Sequence, residues 1–366
     1  MKKLHDYENS NSRFDVAYHG GDSVGTCECC ERENMNLFEN LLKEYEGRRV
    51  LVTGGAGFIG SNLVEVLLKV GCEVHVADNL SRGSLENLRP FLDKIRFHYT
   101  DLTSFENCLS VTRDMEYVFH LAATVGGIHF IKRERVKCLT PDVLMHANML
   151  EAVRINEVEK FLFTSSACVY REKSPTLNVF KEEDAYPANP PTTYGWAKIF
   201  GEILCRSYYL DYGIKCSIVR IFNAYGENEN LDPRWSHVIP SLIRKAILYP
   251  RERFVILGDG KQERAFLYVK DCVEGLMLAL QKADNADPIN LGSEEVVTID
   301  TLARKIIAIS GKDITIEYDP SGPRGTYRYC ADTTKMKRVL GWRPKTSLDE
   351  GLRRTYEWAK RKLGVS

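Results

Sequence analysis

Two groups of residues in this chain have types and spacing suited to chemistry. Tyr194 and Lys198 stand four apart in the run YGWAK, so on a helix they share one face. A tyrosine of pKa about 10 is a poor base at neutral pH. An ammonium beside it stabilises the phenolate and lowers that pKa. Such a pair can take the proton of a hydroxyl while hydride leaves the same carbon for a cofactor. The second group is Gly54, Gly57 and Gly60 in TGGAGFIG, residues 53–60. Between a strand and a helix, these glycines let the chain turn tightly and let backbone approach a pyrophosphate. A side chain would block both, and the helix start at Phe58 and Ile59 then faces the phosphates. Asp78 follows at the end of the next β run, with Asn79 beside it. That is where an acidic residue hydrogen-bonds the ribose hydroxyls of a dinucleotide. An aspartate there repels a 2′-phosphate, so NAD is expected as cofactor. Arg82 stands close enough to keep NADP as an alternative.

These groups need elements to position them. Arg49–Thr53 (RVLVT) reads as a buried strand, and Ser61–Val70 has helical spacing. Further strands are expected at Glu73–Ala77, Ile95–Tyr99, Tyr117–Leu121, Lys160–Thr164 and Lys215–Ile221, with helices over 141–157 and after Pro191. Repeated strand–helix units mean an α/β fold, a Rossmann-type doubly wound parallel sheet with helices on both faces. After about residue 225 the loops carry more charge and the helices shorten. The expected organisation is an arm with a short helix over 1–47, an NAD-binding domain over 48–225 and a substrate-binding region over 226–366. The last is expected to interleave with the first, Phe254–Leu257 and Phe266–Val269 being candidates to return to the main sheet.

Composition narrows the function classes. The chain has 366 residues, 44% of them hydrophobic, enough for a packed core. Fifty basic residues balance fifty acidic ones, so nothing points to a nucleic-acid partner. No apolar run approaches the roughly 20 residues of a membrane span, and no apolar segment follows the charged start, so neither a membrane anchor nor a signal peptide is expected. Eleven scattered cysteines fit reduced thiols in a cytoplasmic protein. Cys27, Cys29 and Cys30 form half a metal site at most, with no second cluster nearby, so no metal is expected.

Several motifs in order resemble the extended short-chain dehydrogenase/reductase family, in its sugar-nucleotide epimerase and dehydratase branch. They are TGGAGFIG, DNLSRG (78–83), Asp101-Leu102, HLAA (120–123), SSACVY (165–170), YGWAK (194–198), RIFNAYG (220–226) and LGWRP (340–344). The resemblance covers residues 48 to about 360. It implies that Asp101 and Leu102 contact adenine, that Ala122 and Ala123 line the nicotinamide ribose, and that Lys198 also bonds that ribose. It implies that Ser166 hydrogen-bonds the hydroxyl that Tyr194 deprotonates, Asn223 contacts the substrate diphosphate, and the helices near 141–157 and 193–210 pack a homodimer. Arg264 in KQERAFLYVKD is a candidate phosphate anchor, because its planar fork binds phosphate oxygens in pairs.

Oxidation of such a sugar places a ketone at carbon 4, and position 168 bears on the fate of that ketone. Dehydratases of this family carry an acidic pair where this chain has Ala167 and Cys168. A cysteine after Ser-Ala resembles instead the GDP-mannose 3,5-epimerase and GDP-fucose synthase groups, in which it exchanges protons beside the ketone. His237 in SHVIP resembles the segment supplying the histidine of the second group, whereas the first uses a lysine. Histidine titrates near neutrality and suits the role. Cys168 also fits a small buried hydrophobe, and His237 a helix-start residue. Gly126 and Gly127 after HLAA resemble the substrate loop of the 3,5-epimerase group. PRGTYR (323–328) resembles its tail, with Arg324 pairing the diphosphate. The expected function is NAD-dependent 3,5-epimerisation of a GDP-mannose-type sugar, with Cys168 and His237 as the acid/base pair. The alternatives are a UDP-sugar 4-epimerase (UDP-glucose or UDP-glucuronate type) and a GDP-4-keto-sugar epimerase/reductase.

Overall fold

The computed structural model describes residues 41–124, 133–171, 174, 178–321 and 327–365. Seven strands form one parallel sheet: β1 (Arg49–Thr53), β2 (Glu73–Asp78), β3 (Ile95–Tyr99), β4 (Tyr117–His120), β5 (Lys160–Ser166), β7 (Cys216–Ile221) and β12 (Ile289–Leu291). A separate strand, β6, spans Asn178–Phe180. The sheet order is β12-β7-β5-β4-β1-β2-β3, every neighbour pair parallel. The winding reverses between β1 and β4. In such a sheet the crevice beyond the carboxyl ends of those two strands is where ligands bind.

The strands are apolar on both faces because helices cover both. Val50 and Val52 face a core with Leu63 and Leu67 of α1 (Phe58–Lys69). Leu51, Val118 and Phe161 face the other core, against Cys108 and Val111 of α2 (Phe105–Thr112), Met149 and Val153 of α3 (Arg135–Ile155) and Cys205 of α4 (Thr193–Tyr212). The polar residues Thr53, His120, Ser165 and Ser166 cluster at the carboxyl ends, where the crevice begins. Ahead of β1, Leu41 and Tyr45 are buried, and the Tyr45 hydroxyl donates to Met277 O at 2.7 Å.

The later chain builds a second layer. Helices α5 (Val238–Leu248), α7 (Ile299–Ser310) and α9 (Leu348–Lys362) share a core. The main-sheet core also takes α6 (Val269–Lys282) and α8 (Thr334–Leu340). A four-stranded sheet has the order β13 (Val296–Thr298), β10 (Glu263–Ala265), β15 (Arg328–Ala331), β6. Of the segments expected to rejoin the main sheet, neither does so. β9 (Val255–Leu257) pairs with β14 (Glu317–Asp319), and β11 (Leu267–Tyr268) pairs with β8 (Ala224–Tyr225). The edge beside β7 is taken by β12, while Phe254 and Ile256 bury themselves in the core shared by α5, α7 and α9. Among the described residues, no helix is long and apolar enough to cross a membrane.

Candidate active site

The glycine turn sits at the carboxyl end of β1. Gly54 has φ +68°, and a side chain there would meet Ala122 N at 2.9 Å. A Cβ on Gly60 would lie 2.2 Å from Gly54 O, so α1 can pack this tightly on the turn only with glycine there. Gly57 caps α1 without any side-chain bond, and no acidic residue occupies the first turn. The N–H groups at Phe58 and Ile59 are therefore left open to an anion. Asp78, at the end of β2, accepts from Ala56 N at 3.0 Å and Leu80 N at 2.8 Å. Burial pushes its carboxyl upward, and those two bonds oppose it. Each carboxylate oxygen has a second lone pair for a ribose hydroxyl. Asn79 Oδ1 holds Ser81 N, and the Arg82 guanidinium lies 3.8 Å from the Trp235 ring centroid. These residues fit a dinucleotide: the uncapped helix start could receive its phosphates, and the Asp78 carboxylate a ribose hydroxyl.

Tyr194 and Lys198 lie in the first turns of α4, which Thr192 caps by accepting from Gly195 N at 3.2 Å. Gly195 sits hard against the turn after β5, where a Cβ would come within 2.2 Å of Cys168 O. That approach brings Tyr194 into one cluster with Cys168, Cys138 and Ala123. Ser166, the last residue of β5, accepts from Cys168 N at 3.1 Å. Lys198 is buried, its Nζ 5.6 Å from the Tyr194 ring centroid and 5.0 Å from that of Phe163. Burial pushes Tyr194 well above its ordinary value, with Cys168 and Asp142 adding to the rise and Ser166 opposing it. Burial also raises the Cys168 thiol, against Ser166 and Lys198, and lowers Lys198, against Asp142. A water-poor site disfavours every lone charge, and this outweighs the pairwise help.

A polar layer that the sequence reading passed over lies behind this pair. His120, from HLAA, bonds Thr53 Oγ1 through Nδ1 at 2.8 Å and His146 Nδ1 through Nε2 at 3.0 Å. Thr53 Oγ1 already accepts from Leu121 N and Ala122 N. Its own proton is therefore the one given to His120, which makes Nε2–H of His120 the donor to His146. His146 then carries its proton on Nε2, which is buried and has no hydrogen-bond partner among the described residues. Burial, with the Lys198 charge next, pushes His120 down to about 3 and His146 well below its ordinary value, so both rings are neutral. Asp142 is fully buried and accepts from Thr124 N at 2.7 Å. Cys138, Asp142 and His146 recur every four residues on α3, and that polar stripe was the available signal.

His237 enters by another route and makes no hydrogen bond to the Tyr194 cluster. It is the residue before α5, and Nδ1 bonds Glu229 Oε1 at 2.8 Å. Its loop is tied to α1: Asn62 Nδ2 donates to Glu227 O at 2.9 Å, and Asn228 Nδ2 donates to Ser61 Oγ at 3.1 Å. Glu229 and Trp235 were not singled out from the sequence, since a lone acid and a lone aromatic in a loop carry no spacing signal.

The other expected contacts are dispersed. Asp101 is exposed and accepts from Thr103 N and Oγ1, while Leu102 is buried in the core. Asn223 has φ +42° and donates Nδ2 to Ala265 O at 3.0 Å. Arg264 lies on β10 and donates to Glu263 O at 2.7 Å. Gly126, Gly127, Arg324 and Cys27, Cys29 and Cys30 lie outside the described residues. The described residues contain no cluster of three or more metal-ligating side chains.

The parallel sheet, the glycine turn at its switch point and the Ser166–Tyr194–Lys198 group define a class, and the chain belongs to it: residues 50–292 match the NAD dependent epimerase/dehydratase family. It is thus an NAD-dependent enzyme of epimerase type. Among its relatives are GDP-mannose 3,5-epimerase 1 of Oryza sativa subsp. indica and GDP-mannose 3,5-epimerase of Arabidopsis thaliana. The first is 37% identical over 87% of this chain and 83% of its own length. The second is 37% identical over 91% of this chain and 86% of its own. The crystal structure of UDP-glucose 4-epimerase with UDP-glucose from Thermotoga maritima superposes with a TM-score of 0.79 at 30% identity, covering 86% of this chain and 99% of that one.

Proposed function

We propose that this enzyme inverts carbon 3, carbon 5 or both of a GDP-linked hexose of the mannose type, with no net redox change. The likeness to GDP-mannose 3,5-epimerases supports the substrate. The observation that carries the chemistry is Cys168, packed against Tyr194 and turned there by the Ser166 cap. In this reading Ser166 and Tyr194 hold the hydroxyl on carbon 4. NAD, when bound, supplies a reversible hydride acceptor for that carbon. Tyr194 takes the hydroxyl proton, and Lys198 stabilises the phenolate that burial otherwise disfavours. The ketone acidifies the protons on carbons 3 and 5. Of Cys168 and His237, one takes such a proton, leaving its electron pair in the enolate. The other delivers a proton to the same carbon from the opposite face, and Tyr194 returns its own when the ketone is reduced again. Gly54, Gly57, Gly60, Phe58 and Ile59 hold the pyrophosphate, and Asp78, with Asn79 and Arg82 near it, meets the adenosine ribose. Asp101 and Leu102 meet adenine, and Ala122, Ala123 and Lys198 the nicotinamide ribose. Asn223, Arg264 and Arg324 hold the substrate diphosphate, and Gly126 and Gly127 the hexose. The enzyme works as a cytoplasmic homodimer.

Turnover of GDP-mannose in deuterated water tests this. Deuterium at carbon 3 or 5, lost in Cys168→Ala, is the expected outcome; turnover without deuterium sinks it. The likeness to UDP-glucose 4-epimerase favours a second reading, inversion of carbon 4 of a UDP-sugar. There the ketone turns over in the pocket, product carries no solvent deuterium and Cys168→Ala keeps its rate.

A further inference from the structure

We propose that Glu229 is a positioning residue for His237: its carboxylate takes the Nδ1–H, sets the tautomer and leaves Nε2 to exchange a proton with substrate. The inference rests on the acid/base role given to His237 above. Its grounds are geometric. Glu229 Oε1 lies 2.8 Å from His237 Nδ1, and the side chains are 3% and 61% exposed, respectively. A carboxylate sealed this far from water is costly unless a cationic or donor group meets it, and His237 is that group. The second carboxylate oxygen is enclosed as well.

His237 occupies the position before α5 where Ser, Thr, Asp or Asn would cap the helix, yet its side chain makes no capping bond. The ring is turned away from that duty and held by Glu229 instead. A helix start disfavours imidazolium, and a carboxylate on the far nitrogen offsets this. With Nδ1–H given to Glu229, Nε2 is the ring nitrogen left for substrate. This is the division of labour by which a buried acid orients a catalytic histidine and stabilises its charged form. Glu229 is itself placed by neighbours on the cofactor side: Glu227 and Asn228 before it are tied to α1.

Charged groups on the same loop, on α5 and beside Trp235 are engaged elsewhere. Asp232 pairs with Arg234, Glu227 accepts from the Tyr268 hydroxyl, Arg244 pairs with Glu252, and Arg82 lies over Trp235. The Glu229 bond thus sets the titration of His237, raising it above the ordinary histidine value.

The test compares Glu229→Gln and Glu229→Asp with His237→Asn. Glutamine keeps an acceptor for Nδ1–H but removes the charge. The limb of the kcat profile against pH that His237→Asn abolishes is expected to move down by about one pH unit in Glu229→Gln. KM should change less than about twofold, and Glu229→Asp should restore part of the shift, as positioning through one group requires. Direct NMR titration of His237 in the full-length wild-type enzyme provides a readout independent of turnover. A midpoint above about 6.5 that drops in Glu229→Gln supports the proposal. A folded Glu229→Gln with ring titration and pH limb both unmoved overturns it. Should that variant not fold, a wild-type midpoint at or below the free-histidine value overturns it equally. If His237→Asn leaves deuterium exchange intact, the catalytic reading of His237 falls and this proposal with it. If exchange is lost but the Glu229 variants behave as wild type, only the proposal falls.

Discussion

Lys198 is buried, and Asp142, Cys168 and Glu202 favour its charged form against that burial. Its charge bears on His120 and His146, and the proton order from Thr53 through His120 to His146 follows from which acceptors are already filled. Keeping both rings neutral has a consequence for stability. His120 is held down to about 3 against an ordinary 6.5. A base with a depressed folded pKa contributes stability that is whole above the unfolded value and is lost as pH falls through it. Between pH 6.5 and pH 5 the loss is about 1.5 units at about 1.4 kcal/mol each, or about 2 kcal/mol for this residue. Chemical denaturation at pH 7 and pH 5 should show it. His120→Asn should flatten the slope whatever it does to absolute stability, and an unchanged slope would refute the assignment.

At the scale of elements, the site depends on how α4 seats on the sheet. Its cap at Thr192 and the contact of Gly195 with Cys168 O set the height of Tyr194. About two turns further on, Glu202 takes Arg220 of β7 in a doubly bonded pair, at 2.8 Å and 2.7 Å, with both side chains sealed from water. Arg220 also donates to the Tyr170 hydroxyl and to Glu182 O, tying the turn after β5 to the same point. Removing one member strands a buried charge. Arg220→Met is expected to cost about 3–5 kcal/mol. Arg220→Met with Glu202→Leu should cost clearly less. Urea unfolding of the three proteins decides it; equal losses would mean that packing, not charge, dominates there.

For the whole molecule, the outer faces of α3 and α4 matter. Val136, Leu144 and Ile155 on the first and Ile203, Leu210 and Tyr212 on the second are exposed, an apolar set on two adjacent long helices. Exposed apolar side chains on neighbouring helices are a place where a partner can dock. The proposed homodimer would pack here, on the helix that carries Tyr194 and Lys198 and on its neighbour α3. Leu210→Glu is expected to shift the sedimentation of the native dimer to that of a monomer. A dimer untouched by Leu210→Glu and Ile203→Glu together would move the interface elsewhere.

The short-range features were legible in the amino-acid order. TGGAGFIG between a strand and a helix, Asp78 at the next strand end and the four-residue step from Tyr194 to Lys198 are local patterns, and local patterns survive without a partner. The doubly wound sheet follows from alternating apolar strands and helices for the same reason. What the sequence alone left open depends on contacts between distant segments. Nothing near Phe254 says that β12 already holds the sheet edge, and nothing near His237 says that its ring leaves the helix cap for Glu229. The titration of Tyr194 shows the difference most plainly. From spacing, Lys198 should lower it. Only the packed structure shows Tyr194 buried with Cys168 and Cys138, where exclusion of water pushes its hydroxyl up.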